Sequence, residues 1–137
     1  MLLVESKAFW ERIQFDNSAL VSEARISAEQ LYQKMIERTD HALTLTLQQR
    51  QLEELKAIKI VGGIEGKNEA ERNARMTLAL MTDADASKLI SDIELTRHDL
   101  ADLDAQIELL RNRLSLLKSQ IRWNIASAAA WGGPDDV

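Results

Sequence analysis

The stretch ASKLISDIELTRHDLADLDAQIELLRNRLSLLKSQI, residues 86–121, decides how this chain folds. Stepping through it by three and four residues in turn gives Ala86, Leu89, Ile93, Thr96, Leu100, Leu103, Ile107, Leu110, Leu114, Leu117 and Ile121. Ten of these eleven positions are apolar, with Thr96 the exception, so the heptad pattern holds over five repeats. Such a pattern marks a helix that keeps one seam against a partner helix. Connection lengths favour a neighbour within the same chain, with pairing between chains as the alternative.

A sparser line, Leu95, Leu109 and Leu116, occupies outer heptad positions of the same helix. These leucines cannot face the partner that covers the main seam. They call for a third helix, a second subunit or a client protein, and are the candidate partner-binding residues.

The partner arm lies upstream. From Asn17 to Lys59 there is no glycine or proline, which allows a helix of roughly 65 Å at 1.5 Å per residue. Ala24, Ala28, Leu31, Met35, Ala42, Leu45 and Leu52 trace its expected stripe, with Arg38 and Gln49 as polar interruptions. Leu20, Tyr32, Ile36, Leu43 and Leu47 widen it, as expected for more than one neighbour. Before this arm, residues 6–15 read as a short amphipathic helix capped by Ser6, with Phe9, Trp10 and Ile13 on one side. Asp16-Asn17-Ser18 reads as a cap-rich interruption after it.

The seam fails upstream of residue 86, where it would pass through Thr82, Ala79, Arg75 and Arg72. A break is therefore expected at 82–85, with Thr82 and Asp85 at capping-box spacing, and a separate helix over 69–81. The fold class that results is all-α: an elongated antiparallel helical hairpin, coiled-coil-like, with a short N-terminal helix. Its arms are residues 17–59 and 85–127. Residues 1–131 form a single domain, and the GGPDDV ending, 132–137, is expected to be a disordered tail.

Between the arms stands VGGIEGKNEAER, residues 61–72, a glycine-rich run ending in Gly-Lys before a helix. A phosphate-binding P-loop needs Gly-x-x-x-x-Gly-Lys and then Ser or Thr, because the hydroxyl must reach magnesium. Val61 stands at the first glycine position and Asn68 at the hydroxyl position, and no strand precedes the run. The same letters make a helical turn: Gly62 and Gly63 end one helix, and Asn68 caps the next. Glu71 is expected to reach back to the Asn68 amide.

Gly66-Lys67-Asn68-Glu69-Ala70-Glu71-Arg72 resembles the Gly-(Lys/Ser)-Asn-x-x-x-Arg tip of small helical coiled-coil proteins of phage and prophage genomes. Those proteins also set a long helix before the tip and a leucine-seam helix after it. The resemblance covers residues 20–120 in layout and seven residues as a motif, matched at Lys67, Asn68 and Arg72. It implies a phage accessory protein, often near recombination or replication genes, and carries no chemistry with it.

Composition narrows the function further. The chain has 137 residues and no cysteine, so it has neither a disulfide framework nor thiolate chemistry, which fits a cytoplasmic setting. The opening MLLVESKAFW lacks a basic leader, and no apolar run reaches the ~18 residues that span a bilayer. His41 and His98 have no metal-ligand spacing, and no Glu-x-x-His pair accompanies the acids of residues 92–108. No nucleophile, base and orienting group can be assembled, so neither an enzyme nor a cofactor is expected.

The net charge of −5 argues against a general nucleic-acid binder. A local exception is Arg111, Arg113, Lys118 and Arg122, with no acid between them and Trp123 alongside. With Lys67 and Arg72 at the turn, these are the candidate nucleic-acid-binding residues. Acid early and base late along a helix also complements its dipole, which accounts for the same charges without a ligand. A protein partner or a second copy of the chain is therefore the leading expectation, and a recombination or replication accessory role the second.

Overall fold

The computed structural model describes residues 2–130, with the side chains of residues 7, 8, 11 and 17–130. Among them are three helices and no strand: α1, Leu2–Val61; α2, Glu69–Thr82; and α3, Ala84–Ala130. The all-α hairpin reading holds, since α1 and α3 pack against each other in antiparallel directions. The packing divides the chain into two units, Met1–Met35 with Ala105–Val137, and Ile36–Asp104. The expected tail at 132–137 and the face made by Phe9, Trp10 and Ile13 lie outside the described residues.

One boundary differs from expectation. The helix read over 6–15 is the opening of α1, which runs through Asp16-Asn17-Ser18 without interruption. These residues favour caps but cost a helix only a fraction of a kcal/mol each, and no glycine or proline enforces a stop. Asn17 is instead held inside the helix, its Oδ1 accepting from Asn124 Nδ2 at 3.0 Å.

In the unit of residues 36–104, Leu80, Ala86, Ile93 and Leu103 are buried. In the other, Ile107, Leu117 and Ala128 are buried. Every position of the α3 seam from Ala86 to Ile121 is buried or half-buried.

The α1 stripe holds at Ala24, Leu31, Ala42, Leu45 and Leu52, which are half-buried, and is corrected at the positions between. Ala28, Met35 and Gln49 are exposed, while the positions one residue earlier, Ser27, Lys34 and Gln48, turn inward with His41. Polar residues along α1 are answered by α3. Arg38 pairs with Asp104, and His41 Nε2 lies 4.0 Å from Asp99 Oδ2. The Thr96 hydroxyl lies 2.8 Å from Gln48 Oε1 and 2.9 Å from the Asp92 carbonyl, so the one polar residue of the α3 seam is satisfied. Lys59 Nζ reaches Asp83 Oδ2 at 3.0 Å. Among the described residues no buried side-chain nitrogen or oxygen lacks a partner, as buried polar groups require.

The turn follows backbone chemistry. Gly63 adopts φ 99°, where side chains are strained, and the Gly62 amide closes on the Ile58 carbonyl at 2.9 Å. Asn68 caps α2, its Oδ1 accepting from the Glu71 amide at 2.8 Å. The reciprocal bond is shifted by one residue: Glu71 Oε2 accepts from the Lys67 amide at 3.0 Å, not from Asn68.

At the second break the cap is Asp83, not Thr82. Asp83 Oδ1 accepts from the amides of Asp85 and Ala86 at 2.9 and 3.1 Å. The Thr82 hydroxyl bonds back to Leu78 and Ala79 carbonyls and so belongs to the end of α2. Asp83 sits one residue closer to the amides, and a carboxylate is the stronger acceptor. The Ala86 amide, followed by the Lys59 ammonium, holds the Asp83 carboxyl below the usual carboxylate range.

Candidate interaction surface

Once α3 commits one side to the seam, heptad geometry fixes what the other sides carry. Leu95, in the unit of residues 36–104, and Leu109 and Leu116, in the other, occupy outer heptad positions of α3 and are 60%, 69% and 71% exposed. Trp123, 68% exposed, lies one heptad beyond Leu116. Adjacency in sequence puts the tryptophan beside the basic residues. Its seven-residue spacing from Leu116 is the signal that places it with the leucines instead.

The basic residues do not form one patch. At about 100° per residue, Arg111, Lys118 and Arg122 lie within about 40° of one another. Arg113 is turned by about 160° from Arg111, and Trp123 by about 120°. A phosphate backbone following Arg111, Lys118 and Arg122 would leave Trp123 on another side, unable to stack on the same strand's bases. Lys67 and Arg72 belong to the other packed unit.

At the turn the motif letters have structural tasks. A side chain at Gly66 would place its Cβ 2.8 Å from the Arg72 backbone nitrogen and Cγ, so only glycine fits. Arg72 Nη1 donates to the Gly66 carbonyl at 3.4 Å. Asn68 is the helix cap, and Lys67 contributes its backbone amide to Glu71. Beside the turn, Ala57, Ile60, Ile64, Met76 and Leu80 line an open groove of about 650 Å³, rimmed by Lys56 and Arg72. Lys56 is paired with Glu53 at 3.3 Å.

His41 and His98 each face a single aspartate, Asp99 and Asp102. No group of three or more His, Cys, Asp or Glu side chains suited to a metal ion occurs among the described residues. Nor is any described helix long and apolar enough to cross a membrane. What the arrangement offers is exposed apolar side chains on a helix. No family model, curated protein or solved structure matches this chain.

Proposed function

We propose that this chain is a non-enzymatic helical interaction protein that binds a protein partner, or its own copy, in the cytoplasm. The single observation that carries this reading is the exposure of the outer leucines of α3, Leu95, Leu109 and Leu116. Leu109 and Leu116, one heptad apart, make exposed apolar surface of the kind that marks an interaction site. The turn sequence supports an accessory protein of the phage type, because it resembles that motif at Lys67, Asn68 and Arg72.

Site-specific photo-crosslinking tests the reading. A photoreactive residue at position 95, 109 or 116 is expected to capture a defined protein adduct in the expressing cell, whereas the exposed charged position Glu94 should give none. Equal, diffuse labelling from both kinds of position would count against a specific surface.

The second reading is a nucleic-acid accessory factor. It rests on Arg111, Lys118 and Arg122 sharing one side of α3 without an intervening acid. Titrating labelled DNA at about 50 and 200 mM salt tests it, because phosphate contacts weaken steeply over that range. Salt-sensitive binding lost in Arg111→Glu with Arg122→Glu would favour it. The net charge of −5 leads us to expect no binding at the lower salt.

A further inference from the structure

Leu109, Leu116 and Trp123 run at heptad intervals along the outer side of α3, each about seven-tenths exposed. The row on one side of this line is Ala105, Asn112, Ser119 and Ala126. The row on the other is Gln106, Arg113, Gln120 and Ser127. Eleven side chains thus include one charge, in a chain of which 28 per cent is charged. A face so poor in charge avoids the largest desolvation cost, and its amides and hydroxyls need partners across the contact.

We infer that this face pairs with the same face of a second copy, antiparallel, about a two-fold axis at Leu116. The inference rests on the reading of the outer α3 line as a contact surface, and names its occupant. With Leu116 on Leu116, Leu109 falls against Trp123 of the second copy, so large apolar groups cover one another. On the first flank Ala105 meets Ala126 and Asn112 meets Ser119, small side chains that let the helices approach.

On the other flank Arg113 meets Gln120. The Gln120 amide nitrogen donates to Asn124 at 3.0 Å, so its carbonyl oxygen is the atom offered to a guanidinium. No like charges oppose each other in this register. A parallel pairing would stack Trp123 on Trp123 and turn Arg113 toward the Asn112 and Ser119 flank, and an acidic partner or nucleic acid would find only that one cation. Self-complementarity of this kind is what a two-fold interface demands. The paired segment spans about 33 Å of helix at 1.5 Å per residue, and must bury roughly 500 Å² on each copy to reach the lower size of a specific interface.

The absence of cysteine makes the register directly testable. In Leu116→Cys the two thiols meet on the axis. In Leu109→Cys they are held fourteen residues apart, about 21 Å, far beyond the ~4.4–6.8 Å Cα separation a disulfide accepts. Mild oxidation at micromolar concentration should convert Leu116→Cys to a covalent dimer of twice 15.5 kDa and leave Leu109→Cys uncrosslinked.

Equal crosslinking of both variants would mean parallel pairing and overturn the inference. A dimer by sedimentation that crosslinks at neither position would place the interface elsewhere and overturn it too. A wild-type protein that stays monomeric also overturns it. In that case photo-crosslinking separates the two ideas: an adduct with a different protein from position 109 would retain the contact surface without self-pairing, and no adduct would remove both.

Discussion

Ile107→Asp tests the seam at its centre. Ile107 is 4% exposed, whereas Leu109, two residues along the same helix, is 69% exposed. Removing the buried isoleucine forfeits about 1.5–3 kcal/mol of apolar burial. The new carboxyl must also stay charged in an apolar seam or take up a proton. Holding a group of ordinary pKa ~3.9 protonated at pH 7 costs roughly 4 kcal/mol, at 1.36 kcal/mol per unit. A two-helix seam is open at its edges, so part of that cost is relieved by swinging the carboxylate toward water. A loss of about 3–6 kcal/mol is expected, a large share of the ~5–15 kcal/mol that stabilises a typical domain.

Leu109→Asp should change the fold's own stability by no more than ~0.5 kcal/mol, as surface substitutions do. Urea unfolding followed by circular dichroism measures both, at one fixed protein concentration because self-association would add to apparent stability. Equal midpoints for wild type and Ile107→Asp would refute the seam. A larger loss for Leu109→Asp, persisting at the lowest concentrations, would invert the assignment of the two faces.

Three further outcomes follow from the structure. Thr96→Val should cost about 1 kcal/mol by leaving Gln48 without its partner, and pairing it with Gln48→Leu should recover part of that loss; strict additivity would mean that the two side chains do not interact. Gly66→Ala should destabilise the turn, since its Cβ would lie 2.8 Å from the Arg72 nitrogen, while Gly62→Ala, with nearest contacts at 3.4 and 3.5 Å, should be tolerated; comparing their thermal melts checks this, and the reverse order would contradict it. The Asp83 carboxyl is held below its ordinary pKa by the Ala86 amide and Lys59, so its contribution is complete above about pH 4 and is lost as pH falls through the lower, folded value. An NMR titration should find a depressed midpoint, and Asp83→Asn should flatten the acid limb of the stability profile; an unchanged limb would count against the cap.

The α3 seam was legible because its residues are apolar wherever they turn inward, apart from Thr96. The α1 seam was legible in part, at Ala24, Leu31, Ala42, Leu45 and Leu52, which are half-buried. Following apolar letters also led to Ala28 and Met35, when Ser27 and Lys34 hold the inner positions. Polar residues on that side are answered from α3, His41 by Asp99 and Gln48 by Thr96, and such partners become visible only when both helices are set side by side. Proximity in sequence misled at Trp123 as well, since neighbours on a helix point about 100° apart. The turn was readable to within one residue, its glycines and Asn68 being fixed by backbone angles and capping. The shift from Thr82 to Asp83 reflects two adjacent residues that are both competent caps.

The central claim is that the outer line of α3 is a contact surface, with a second copy as its occupant. Sedimentation equilibrium at micromolar concentration, on wild type and Leu116→Asp, tests it most directly. The account predicts a mass approaching twice 15.5 kDa for wild type, and a return to the monomer mass in the variant with its helix content unchanged. A wild-type mass of 15.5 kDa at every concentration, or a dimer indifferent to Leu116→Asp, would contradict it.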